Sequence, residues 1–322
     1  MLTKRIASVV AAFACLVFAS TAVAASPAVP EDRVGLAKDL IYFVFPDRYL
    51  NGDTSNDKYP GYDPKDTAFF HGGDLKGLTG TCTAGDNGLA RIKKLGFTAV
   101  WVTPLVVQQK PTPYGAGYHG YWGVDFLNVD PHLGTNADMA AFAECAKKLG
   151  LKLILDVVTN HTGDVIAYKE KDAFIPSDLT NAKNPAWLND LNNYHNVGDM
   201  NSCWGDGSCM QLGDFYGLDD IATEKPVVYN GWADVYGKWI KDYALAGFRV
   251  DTARHVDDNF FKNWSPQIDA AAKSVGINDF TIFGEVWDVN PINLMNYIRR
   301  NKIQTVLDFP FQRSAAEFAS GY

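Results

Sequence analysis

Six short apolar runs, at residues 40–45, 97–103, 151–158, 247–250, 280–285 and 304–309, are separated by stretches with apolar residues at helical spacing. Runs this continuous suit strands covered on both faces, and a parallel sheet covers both faces with its crossover helices. The spacing predicts helices over 88–95, 138–149, 232–245, 260–275 and 291–301, with Gly150 ending the second. Repeated strand–helix units build either a (β/α) barrel or a doubly wound sheet. No Gly-rich phosphate fingerprint follows the first run, which counts against a nucleotide-binding doubly wound fold. The expectation is therefore an α/β protein built as a (β/α) barrel. Residues 159–223 break the rhythm, being rich in Asn, Asp, Gly and aromatics without clear periodicity. A segment this long is expected to be a small domain inserted after the third strand. The predicted organisation is a signal at 1–24, barrel at 25–158, inserted domain at 159–223 and barrel again at 224–322.

The amino terminus carries Lys4 and Arg5, an apolar run over 6–18 and the A-x-A pattern Ala22-Val23-Ala24. This reads as a secretory signal cut after Ala24 or Ala25, leaving an exported, monomeric chain with no membrane contact. A 47% apolar composition supplies material for a sizeable core and excludes a disordered chain. A net charge of −8 argues against nucleic acid held on a general basic surface. Beyond Cys15 in the signal, four cysteines remain, an even number that suits disulfides in an exported chain. The Gly-rich loop between Cys203 and Cys209 is short and flexible enough to close on itself. Two thiolates on zinc are the alternative, but His or Cys partners at familiar spacing are missing. Cys82 pairs with Cys145 by elimination.

In a barrel, chemistry gathers where strands end. Asp156, Asp251 and Glu285 stand at three strand ends. Arg249 lies two residues before Asp251, hence on the same side of its strand, and a cation there should keep a nucleophilic carboxylate ionised. Glu285 sits among Phe283, Val286 and Trp287, apolar company expected to raise its pKa and suit a general acid. Carboxylates pushed in opposite directions match a retaining glycosidase. Spacing alone fits structural ion pairs at strand ends equally well.

Asp156-Val-Val-Thr-Asn-His161, Gly247-Phe-Arg-Val-Asp-Thr-Ala-Arg-His255 and Gly284-Glu-Val-Trp287 closely resemble three signature regions of the α-amylase family, family 13 of the glycoside hydrolases. The run from Leu40 through Pro46-Asp-Arg-Tyr49 resembles the family's first strand, and Tyr118-His-Gly-Tyr-Trp122 its substrate-lining loop. These matches occur in the family's order. The resemblance implies a (β/α)8 TIM barrel, about six of its eight strands lying in this sequence. It implies a secreted retaining enzyme on α-1,4-glucans such as starch and maltodextrins, with Asp251 as nucleophile, Glu285 as acid/base and Arg249 orienting Asp251. It implies that Tyr121 and His161 line the sugar subsite beside the cut, with His119, Trp122, Arg254 and His255 contributing to the substrate region. Arg254 stands where many members have Lys. Asp156 reads as support at the barrel mouth.

The same resemblance implies Ca2+ between the inserted domain and the barrel, held by Asn160, Asp220 and the backbone carbonyl of His255, with Asp214 and Asp219 as rivals for Asp220. A second cluster, Asn51-Gly-Asp-Thr-Ser-Asn-Asp57 with His71-Gly-Gly-Asp74, resembles a calcium loop of cyclodextrin glucanotransferases. Asn51, Asp53, Asn56, Asp57, the Gly72 carbonyl and Asp74 would be its ligands, although Asn, Gly and Asp also favour a plain solvated turn. Two other functions stay open: a cyclodextrin glucanotransferase-type transglycosylase and a non-catalytic glucan-binding relative. The family carries a His-Asp pair at the end of its seventh strand, and none follows Glu285 here; Asp308 precedes Phe309-Pro310. The resemblance thus implies a carboxyl-terminally truncated chain with little glucan hydrolysis of its own.

Overall fold

The computed structural model describes residues 35–83, 85, 87–200 and 210–321. The expected signal and the Cys203–Cys209 loop lie outside the described residues.

All six predicted strands form. In chain order the elements are β1 (Ile41–Val44), α1 (Leu75–Thr79), α2 (Gly88–Lys94), β2 (Ala99–Val102), β3 (Val106–Gln108), β4 (Gly123–Val129), α3 (Asn136–Leu149) and β5 (Lys152–Val158). There follow β6 (Ala167–Lys169), β7 (Asp172–Phe174), α4 (Pro226–Tyr243), β8 (Gly247–Asp251), α5 (Phe260–Ser274), β9 (Thr281–Gly284), α6 (Pro291–Asn296), β10 (Thr305–Val306) and α7 (Phe309–Ser320). One sheet runs β1-β2-β5-β8-β9-β10, and every pairing in it is parallel.

Period-two alternation sorts the strand residues into two layers. Val100, Val102, Leu153, Leu155, Val157, Phe248, Val250 and Ile282 belong to the large core shared with helix residues such as Met139, Phe142, Trp232, Tyr236 and Trp264. Their neighbours Ala99, Ile154 and Phe283 form a separate small cluster with Ile41, Trp101 and Leu307 on the opposite face. Asp156, Arg249, Asp251 and Glu285 fall on that second face by the same alternation. The sheet thus brings every strand-borne polar group of interest to one side.

Helix α3 starts on a capping box in which Thr135 and Asp138 bond reciprocally, and stops at Gly150 in the left-handed region at φ 63°. Helix α4 begins at Pro226, six residues before the expected start, because proline at the first position has no N–H to leave unpaired. Its polar ring atoms tie down the loop after β5: Trp232 Nε1 donates to the Thr159 carbonyl at 3.0 Å and Tyr236 Oη to that of Val158 at 2.5 Å. Between β5 and α4 the described residues form the β6–β7 hairpin and two short 3-10 turns. This segment returns to the sheet mouth through the backbone bridges His161–Asp220 and Tyr194–Ile221. Inside it, Lys183 and Asp219 form a fully buried ion pair at 2.5 Å, with Tyr194 Oη 3.0 Å from the Lys183 ammonium. Cys82 and Cys145 are joined as a disulfide. No helix among the described residues is long and apolar enough to cross a membrane.

Candidate active site

Arg249 is the hub. Its NH1 group donates to Asp156 Oδ1 at 2.8 Å and to Asp251 Oδ1 at 2.6 Å, and NH2 pairs with Glu285 Oε2 at 2.9 Å. The β5–β8 register sets Asp156 directly opposite Arg249, and β9 delivers Glu285 from the next strand. Asp156 also accepts from Trp101 Nε1 at 3.1 Å and Tyr121 Oη at 3.0 Å. Glu285 Oε2 takes a further bond from the Thr252 N–H at 3.1 Å. Thr252 adopts φ 43°, a left-handed conformation costly for a β-branched residue, and that conformation accompanies the aim of its N–H at Glu285.

Two expectations need correction. Glu285 is not enclosed by apolar neighbours: it holds an ion pair with Arg249, and Trp287 is 69% exposed. Nor does Arg249 settle Asp251 as a simple ionised group. Burial pushes Asp251 up against the opposing pull of Arg249, and pushes Asp156 up to about 7. Burial alone would lower Arg249, but Asp156 and Asp251 hold it firmly protonated. One guanidinium shared by three carboxylates leaves a surplus of negative charge, and dehydration acts on the surplus.

Glu285, Thr252, Arg254, His255, Tyr216 and Trp287 wall a cleft of about 620 Å³. Arg254 NH1 donates to the Trp287 carbonyl at 2.8 Å, fixing one wall to another. Asp251 is 6% exposed and lies one residue before Thr252 of the cleft wall. The antiparallel β3–β4 pair, absent from the sequence reading, frames the loop holding His119, Tyr121 and Trp122. His119 Nδ1 accepts from the Tyr121 N–H at 3.1 Å, and the two rings stack. Trp122 meets His119 edge-on at 4.8 Å. His161 is 1% exposed, with Nε2 3.2 Å from the Tyr121 carbonyl. Burial lowers His119, His161 and His255 to about 4 each, so all three are neutral at ordinary pH.

The description "Alpha amylase, catalytic domain" belongs to the family model that matches residues 43–321. The chain belongs to the α-amylase family. Its six parallel strands are therefore those of a (β/α)8 barrel. An α-amylase of Streptomyces lividans is 39% identical over 306 residues, covering 81% of this chain and 32% of the relative. A cyclomaltodextrin glucanotransferase of Klebsiella oxytoca is 31% identical over 310 residues, covering 90% of this chain and 45% of the relative. Among solved structures, an Anoxybacillus α-amylase superposes with TM-score 0.70 at 34% identity, covering 86% of this chain and 53% of that one. The chain thus spans between a third and about half of these α-amylase-family proteins.

Members of the α-amylase family typically bind calcium, and oxygen ligands suit that ion. Among the described residues no three of His, Cys, Asp and Glu converge on a metal-sized space, so a cation here would depend on amide and carbonyl oxygens. Asn160 Oδ1 and Asp220 Oδ1 are both buried without a hydrogen-bond partner. The Ile221 N–H donates to the Asn160 carbonyl at 2.9 Å, which sets the two residues on adjacent backbone rungs. Orphaned buried oxygens of this kind fit a cation. Asp214 has both oxygens bonded, to Tyr168 and the Asp220 N–H, as does Asp219, to Lys183 and the Ile166 N–H, whereas Asp220 keeps Oδ1 unpartnered, which favours Asp220 over both rivals.

In the second cluster, Asn51 Oδ1 and Asn56 Oδ1 are likewise buried and unpartnered. Gly72 stands at φ +89°, and a Cβ there would come within 2.6 Å of Asn51 Nδ2 and Asp57 Oδ1, so only glycine leaves this cradle open. The set is imperfect. Asp53 is occupied by Lys76 and the Ser55 N–H, and Asp74 accepts the N–H groups of Gly52, Asp53 and Gly77.

One participant escaped the sequence reading altogether: His195 bonds Asp220 through Nδ1 and Glu224 through Nε2, the latter at 3.1 Å. Burial would lower His195, but these two carboxylates raise it to about 9. A lone histidine in an aperiodic segment gives no signal of that pairing.

Proposed function

We propose that this chain carries the nucleophile and acid/base of a secreted, retaining glycosidase acting on α-1,4-glucans. The observation that carries the reading is the single guanidinium of Arg249 bonded to both Asp251 and Glu285 at the wall of a sugar-sized cleft. Asp251 is held rigidly by a short charge-assisted bond, and it attacks the anomeric carbon. Glu285 has Oε2 fixed by Arg249 and Thr252, which leaves Oε1 to face the glycosidic oxygen. Glu285, the most exposed of the three carboxyls, gives its proton to the leaving group as general acid while Asp251 attacks as the carboxylate. Water then resolves the glycosyl-enzyme, with Glu285 taking the proton back.

The exposed rings of Tyr216 and Trp287 offer aromatic faces for sugar rings, and Tyr121 braces Asp156 from behind. Asn160, Asp220 and the His255 carbonyl would hold Ca2+, with Asn51, Asn56, Asp57 and the Gly72 carbonyl forming a second site. The ion would fix the loop after β5 against the segment containing Asp220.

Intact-mass and peptide analysis after incubation with 5-fluoro-α-glucosyl fluoride tests the assignment. The sugar is expected on Asp251 and on no other residue, with labelling lost in Asp251→Asn. Labelling of a different carboxylate rejects it. The glucanotransferase relative favours a second reading, transfer to a sugar hydroxyl in place of water. Chromatography of starch digests separates them, since only transfer yields cyclic products.

A further inference from the structure

We propose that His195 is a positioning residue for the cation site at Asn160 and Asp220, acting through Asp220 and braced from outside by Glu224. The inference rests on the reading of Asn160 and Asp220 as cation ligands given above. Both ring nitrogens of His195 are committed, Nδ1 to Asp220 Oδ2 and Nε2 to Glu224 Oε2, so the ring cannot turn without losing a partner. The His195 N–H also donates to the Asp220 carbonyl at 3.2 Å, so backbone and side chain hold the same residue.

The consequence falls on the other oxygen. With Oδ2 taken by His195, Asp220 must present Oδ1, which is buried and has no protein partner. Asn160, whose Oδ1 is orphaned in the same way, has its backbone carbonyl bonded to the Ile221 N–H, next to Asp220. A carboxylate free to rotate about its last torsion would pay an entropic cost on ligating a cation, and His195 removes that freedom beforehand. The side chains grade outward from Asp220 at 1% exposure through His195 at 11% to Glu224 at 43%, so the brace reaches solvent only at its far end. Partners that orient a metal ligand in this way are typically worth a 10- to 100-fold change in affinity.

Calcium titration calorimetry on the full chain, stripped with chelator, tests the idea. An Asp57→Ala background silences the second cluster. His195→Ala is expected to weaken calcium binding roughly 10- to 100-fold. His195→Asn, whose Nδ2 stands near the position of the imidazole Nδ1, should restore most of the lost affinity. Glu224→Gln should cost roughly two- to fivefold, the size of a half-exposed ion pair. A His195→Ala protein that binds calcium as the parent does overturns the inference and leaves the cation site standing. Equal losses in His195→Ala and His195→Asn assign His195 a merely structural role and also overturn it. Should His195→Ala fail to fold, unchanged affinity in both His195→Asn and Glu224→Gln overturns the brace, and a loss in Glu224→Gln alone supports it. A parent that takes up no calcium removes the cation-site reading itself, and the inference with it.

Discussion

At Asp156 two forces oppose each other: burial disfavours the charged carboxylate, while Arg249 and Tyr121 favour it, and burial prevails. A carboxyl whose folded pKa of about 7 exceeds its ordinary value stabilises the fold while protonated. That contribution is complete below about 3.9, the ordinary aspartate value, and is lost as pH rises towards 7. Asp156→Asn is neutral throughout and can still accept from Arg249 or Tyr121. Its unfolding free energy in urea should therefore fall less steeply than the parent's between pH 4 and pH 7. Identical slopes would mean that Asp156 is ionised across the range. The residue types at this site were legible in the sequence, because strand alternation alone sets Asp156, Arg249 and Asp251 on one face. Their electrostatic balance was not, since it depends on three carboxylates meeting one cation across three strands. Neither Trp101, 55 residues before Asp156, nor His195 announces its partner by spacing.

Among the elements, those with long-range apolar cover were the most readable. The six sheet strands appear as continuous apolar runs because both faces of each are buried. The pairs β3–β4 and β6–β7 escaped notice: three of these strands have only three residues, and β4 alternates too weakly for periodicity to register. Helix α3 shows how local chemistry sets a boundary. Thr135 accepts from the Asp138 N–H at 3.2 Å, and Asp138 returns a bond to the Thr135 N–H at 2.9 Å. The expected start at 138 followed the apolar pattern, whereas the cap places it at Asn136. Thr135→Ala should cost about 1 kcal/mol in urea unfolding, and Thr135→Ser should cost much less. An unchanged midpoint in Thr135→Ala would show that packing of Met139 and Phe142 alone fixes this end.

For the whole molecule, the two-layer arrangement divides labour: the outer core between strands and helices supplies the bulk of the buried apolar surface, and the inner face combines a small apolar cluster with the polar groups of the site. Among the described residues one covalent tie, Cys82 to Cys145, spans 63 residues between the turn that follows α1 and the second half of α3. Reduction should lower unfolding stability by about 3 kcal/mol, measurable by comparing urea curves with and without reductant. The enclosed stretch contains β2, the β3–β4 pair and the whole loop bearing His119, Tyr121 and Trp122. Tyr114, 91% exposed, stands in that stretch and offers chymotrypsin an accessible peptide bond. A cut there severs the backbone yet leaves both halves joined through sulfur. On a gel the nicked protein would therefore run as one band until thiol is added, then as two.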